Sequence, residues 1–165
     1  MLKVDFLSVF VAALALIVTI YTAYLQRVHN RTSIKPICTI IEKYHRHNIA
    51  ILIVNQGLGA MIIDKISVRK GRAERDNLIE FMPKVDQMWN GFSLEIEGRA
   101  ILPNQELVLC AIDPKSDAIH QKILDALMDI EIDLYFHDAY NQIQRVKKKL
   151  SYPKVFVEDF GYIAK

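Results

Sequence analysis

The sequence predicts a mainly β protein carried on one N-terminal membrane helix. An uncharged apolar run of twenty residues, Phe6 to Leu25, stands near the N-terminus. Beyond it the chain breaks into short apolar or alternating runs separated by turn residues, the pattern of an antiparallel sandwich. One stretch of helical period interrupts those runs after Asp113-Pro114. The expected division is an N-terminal tail and transmembrane anchor over residues 1–26, a juxtamembrane linker over 27–35, and a β-sandwich-like soluble domain over 36–165.

Phe6 to Leu25 reads FLSVFVAALALIVTIYTAYL and holds no charge, proline or glycine. At about 1.5 Å per residue it spans about 30 Å, the thickness of the hydrocarbon core. Tyr21 and Tyr24 fall near its end, where amphipathic rings suit the interface. Ala13-Leu14-Ala15 has the form of a signal-peptide cleavage site, but the apolar run continues past it and the preceding basic region is only Lys3 set against Asp5, so a retained anchor is expected. Arg27, Arg31 and Lys35 outweigh Lys3 across the helix. Basic residues stay on the cytoplasmic side, so the expectation is a single-pass inner-membrane protein with its N-terminus outside and its soluble domain in the cytoplasm. Ser8, Ala12, Ala15, Thr19 and Ala23 recur at spacings of four, three, four and four, a stripe of small residues through which helices approach in lipid.

In the soluble part, strands are expected at Pro36 to Lys43, Asn48 to Val54 and Ala60 to Arg69. The second is nearly all apolar, as a central buried strand should be, and Gly57 and Gly59 permit positive φ in the turn after it. Leu78 to Met82, Phe92 to Ile96, Arg99 to Leu102 and Glu106 to Ile112 are further strand candidates. Asp113 is expected to cap a helix with Pro114 at its first position. Ile119, Ile123, Leu124, Leu127 and Met128 share that helix's apolar face. Ile130 to His137 alternates cleanly, with Ile130, Ile132, Leu134 and Phe136 on one face, and Ile143 to Leu150 returns beside it.

A family resemblance enters through three segments. Asn48 to Ala60, an apolar strand ending in Val-Asn-Gln-Gly-Leu-Gly-Ala, resembles a turn of bacterial membrane-anchored immunoglobulin-like sandwich modules. Ile101-Leu102-Pro103-Asn104-Gln105-Glu106 resembles the proline turn that introduces a later strand in them, and Tyr135-Phe136-His137-Asp138 is similar to the end of their penultimate hairpin strand. The likeness covers about a third of the chain, and Ala60 departs from the pattern because Met61 follows it with no proline before it. What it implies is an immunoglobulin-like fold, and fold does not fix function.

The charge balance, 21 basic against 19 acidic residues, argues against a nucleic-acid partner. Gly57-Leu58-Gly59 lacks the third glycine, the lysine and the helix of a phosphate loop, so no nucleotide cofactor is expected. His45 and His47 are two ligands at most, fewer than a zinc site needs. His137 and Asp138 could serve a nucleophile, but neighbours on a strand point to opposite faces. Alternation predicts that Glu131 and Asp133 face solvent. Cys38 and Cys110 sit in apolar runs and read as reduced, buried thiols.

Two surfaces then remain as contact candidates. Arg145, Lys147, Lys148 and Lys149 form a basic patch that could face anionic lipid or protect an edge strand. Phe156, Phe160 and Tyr162 make the C-terminal tail a candidate partner surface. The expected function is a non-enzymatic, membrane-tethered recognition or assembly module with a protein partner or copies of itself. A ligand-sensing effector that oligomerises through its helix is the alternative, and a membrane-bound hydrolase acting through His137 or Asp138 is the third reading.

Overall fold

The computed structural model describes residues 6–45 and 47–151. The chain forms two compact units, Met1–Lys35 and Pro36–Lys165. The first is a helix, α1 (Phe6–Ser33), none of whose residues is buried, long and apolar enough to cross a membrane. It runs past the apolar segment into the residues expected to be a linker. Charge ends the apolar run at Arg27, but nothing in Gln26 to Ser33 breaks a helix. Thr32 and Ser33 donate their hydroxyls to the carbonyls of Val28 and His29, at 2.9 and 2.8 Å. The stop comes at Pro36, which disfavours helical geometry in the residue before it.

The described part of the second unit holds nine strands and a helix: β1 (Cys38–His45), β2 (Asn48–Asn55), β3 (Met61–Lys70), β4 (Ala73–Arg75), β5 (Gly91–Phe92), β6 (Ala100–Ile101), β7 (Glu106–Ile112), α2 (Asp117–Leu127), β8 (Ile130–His137) and β9 (Ile143–Lys149). They form two antiparallel sheets, one ordered β1-β2-β7-β5 and the other β4-β3-β8-β9, with β6 also paired to β3. With both helices counted, the chain is mixed α and β rather than mainly β. β2 lies between β1 and β7, which is why it reads as continuously apolar: Ile49, Ile51 and Ile53 are wholly buried. Each such side chain stabilises the fold by about 1.5–3 kcal/mol. Buried residues of both sheets and of α2, among them Ile51, Leu109, Ile123, Ile132 and Phe136, belong to one core cluster.

Asn55 ends β2 and is fully buried. Its Oδ1 accepts from the amides of Ile37 (3.3 Å) and Gly57 (3.0 Å). Its Nδ2 donates to the carbonyls of Gly59 (2.7 Å) and Ile101 (3.0 Å). Its backbone amide donates to Gln105 and its carbonyl accepts from Asn104. One amide side chain thus clasps the start of β1, the β2–β3 turn and the end of β6, with every polar atom used.

Several local expectations change. Among the described residues positive φ occurs at Gly71, Gly98, Asn104, Asp129 and Asn141, so the turn after β2 does not use the freedom that Gly57 and Gly59 permit. The turn is shaped by the Asn55 side chain instead. Leu78 to Met82 is no strand: Ile79–Phe81 is one turn of 3-10 helix beside the buried Leu78. Of Phe92 to Ile96 only Phe92 is in a strand, β5. The cap of α2 is Ser116, whose hydroxyl accepts from the Ile119 amide at 3.3 Å, not Asp113. The Asp113 carboxylate is engaged elsewhere, accepting from Asn48 (2.8 Å) and Asn90 (2.5 Å).

Candidate functional site

The second sheet presents a polar face built by period two. Ile130, Ile132, Leu134 and Phe136 of β8 enter the core, so Glu131, Asp133, Tyr135 and His137 take the opposite face. Register places Arg145 of β9 opposite Tyr135, Lys147 opposite Asp133 and Lys149 opposite Glu131. Each base, however, bonds to the acid one step diagonally along: Arg145 to Asp133, Lys147 to Glu131 at 2.9 Å and Lys149 to Asp129 at 2.8 Å. Diagonal pairs lie within reach of long side chains in a twisted antiparallel hairpin. Arg145 also stacks over Tyr135, 5.1 Å from the ring centre.

Asp133 is the centre of this ladder, and it overturns the expected solvated carboxylate. It is only 3% exposed. Arg145 donates Nε to Oδ1 (2.7 Å) and Nη2 to Oδ2 (2.5 Å), and Arg69 of β3 adds Nη2 to Oδ2 at 3.2 Å. The Arg145 hydrogen bonds hold the Asp133 carboxyl below the usual carboxylate range against the opposing effect of burial, and they raise the guanidinium in return. Hydrogen bonds from Lys147 and Lys149 lower Glu131 and Asp129. Beside them the Ser67 hydroxyl donates to Glu74 of β4 at 2.6 Å.

The fourth basic residue, Lys148, lies on the other side of β9 and pairs with Glu42 of β1 at 2.9 Å. Glu42 also accepts from the Tyr44 hydroxyl (2.7 Å) and the Ser151 amide (3.2 Å), and a surface groove follows β1 from Thr39 to His45 beside it. All four residues of the sequence-predicted basic patch are therefore matched to carboxylates.

His137 and Asp138 engage different groups, and Asp138 lies just past the end of β8. His137 Nδ1 meets Asp64 Oδ1 at 2.6 Å, while Asp138 Oδ1 accepts from the Tyr140 and Gln142 amides to close the β8–β9 turn. His45 ends β1 and His47 lies in the turn that follows. Among the described residues no group of three His, Cys, Asp or Glu side chains could hold a metal ion. Cys38 is half-buried and Cys110 buried, both unpaired, and burial pushes each thiol up to about 12.

Ser8, Ala12, Ala15, Thr19 and Ala23 are all exposed on α1, and the Thr19 hydroxyl donates to the Ala15 carbonyl of its own helix at 2.8 Å. Phe156, Phe160 and Tyr162 lie outside the described residues. No protein-family model matches the chain, and no curated protein or solved structure does either.

Proposed function

We propose that this chain is a membrane-tethered, non-enzymatic recognition module whose soluble domain is an immunoglobulin-like sandwich. The strand orders β1-β2-β7-β5 and β4-β3-β8-β9 support the fold, since they follow the A-B-E-D and C′-C-F-G orders of that class. α1 would confine the domain to one membrane and so raise its concentration near membrane partners. The two free thiols suit the reducing cytoplasmic side that the flanking charges favour.

The observation that carries the recognition reading is Asp133, a buried carboxylate on the polar face, clamped by Arg69 and Arg145 with Tyr135 under the second arginine. Long side chains fixed by ion pairs have little rotamer freedom left to lose on binding. Tyrosine and arginine are the residue types that anchor protein interfaces. The face offers a rigid, ordered array for a protein partner.

Native mass of the full chain, extracted gently from its own membrane, tests this. A stoichiometric second protein that is lost on Tyr135→Ala, with thermal stability kept, is expected. Lys65 of β3 pairs with Tyr135 in the sheet, and a complex untouched by Tyr135→Ala and Lys65→Glu would remove this face from the interface. A ring of identical copies that disappears when Ala15 or Thr19 is enlarged would put the oligomerising effector in its place.

A further inference from the structure

Exposed apolar side chains gather where Asn55 ties the loops together. Ile37 is 57% exposed, Leu58 69% and Leu102 50%. Ile37 gives its amide to Asn55 Oδ1. Leu58 lies between Gly57 and Gly59, which both bond to the same side chain. Leu102 follows Ile101, whose carbonyl accepts from Asn55 Nδ2. Three separate loops thus hold three solvent-facing aliphatic groups at one tip of the domain, on a fully bonded, buried support. Apolar exposure of this kind is retained where a partner covers it.

We infer that this tip is a lipid-contacting surface that dips into the interface of the same membrane that α1 crosses. The inference rests on reading α1 as an anchor. Two further observations select lipid as the occupant. Ile34, Lys35 and Pro36 alone separate the last residue of α1, Ser33, from Ile37. Covalent geometry limits that gap to about 14 Å, so it is this end of the domain that a short tether joins to the anchor helix. The loops 34–37, 56–60 and 102–105 also contain one lysine and no acidic residue. Three aliphatic groups with Lys35 beside them match an anionic headgroup layer over acyl chains.

The test uses the full chain in phosphatidylcholine–phosphatidylglycerol vesicles. Leu58→Cys, Leu102→Cys and, as a distal control, Lys115→Cys are each made with Cys38→Ser and labelled with a polarity-sensitive fluorophore. Lipids spin-labelled near the headgroup should quench the probes at 58 and 102 severalfold more than the probe at 115, with a blue shift at the first two only. Equal quenching at all three positions in protein that resists alkaline extraction overturns the lipid-contacting tip and leaves the anchor standing. Protein that is washed out by alkaline extraction overturns the anchor, and the tip with it.

Discussion

Arg145 holds Asp133 through two parallel hydrogen bonds, Nε to Oδ1 at 2.7 Å and Nη2 to Oδ2 at 2.5 Å, although the β8–β9 register sets Arg145 opposite Tyr135. A carboxylate that alternation assigns to water is thereby sealed under two guanidinium groups.

Removing that carboxylate leaves Arg69 and Arg145 without their shared partner. Both arginines are more than a third exposed and can return to water, so the expectation for Asp133→Asn is the loss of its charge-assisted hydrogen bonds, about 1–2 kcal/mol. Urea unfolding of the full chain in micelles measures it, followed by the fluorescence of Trp89, the single tryptophan, which packs against the core. A double-mutant cycle of Asp133→Asn with Arg145→Met should give a coupling of about 1–3 kcal/mol. A coupling near zero would show that the bidentate geometry adds nothing.

Acid should weaken the same face. Asp133, Glu131 and Asp129 all have lowered folded-state values, chiefly through hydrogen bonds from Arg145, Lys147 and Lys149. A lowered carboxylate contributes stability that is full above its unfolded value, about 4, and lost as pH falls through the folded value. Thermal midpoints are expected to hold from neutral pH to about 5 and fall steeply below 4. In Asp133→Asn the fall should be shallower.

Asn55→Ala should be more damaging than its size suggests. It strands the amides of Ile37 and Gly57 and the carbonyls of Gly59 and Ile101. With about 1–3 kcal/mol for each buried group left unsatisfied, a loss of about 3 kcal/mol or more is expected. Asn55→Asp restores the acceptor but turns a carboxylate toward two carbonyls, so it should rescue little. Unfolding curves of the two variants decide this.

The thiols should be silent in the folded protein. With both raised to about 12 by burial, almost no thiolate exists at pH 8. Iodoacetamide should leave Cys110 unmodified, modify Cys38 slowly, and modify both promptly in denaturant. Rapid labelling of Cys110 without denaturant would mean that β7 opens readily.

The strands were legible because period two survives in β8 and because β2 is buried on both faces. α2 was legible through Ile123, Leu124 and Leu127, but its cap was not, because Asp113 and Ser116 both carry capping oxygens and only the fold commits Asp113 to Asn48 and Asn90. β4 is three exposed residues with no apolar signal. The ion-pair ladder was half visible: bases at 145, 147 and 149 alternate beside acids at 129, 131 and 133. What hid Asp133 is Arg69, brought from β3 across 64 positions of sequence. His137 was singled out, but its partner Asp64 could not be found without the bulge that presents it.

That bulge is an irregularity of phase. β3 buries Met61 and Ile63 before it and Ile66 and Val68 after it, so its apolar positions change from odd to even where Asp64 is left over between pairs. The strand is one residue longer than its own alternation requires. Losing any single residue from the middle of a sheet normally turns half a strand inside out. Here the loss of the Asp64 codon would bring the two halves into step, so a deletion at this point of a core-facing strand is expected to be survivable, at the expense of the His137 contact.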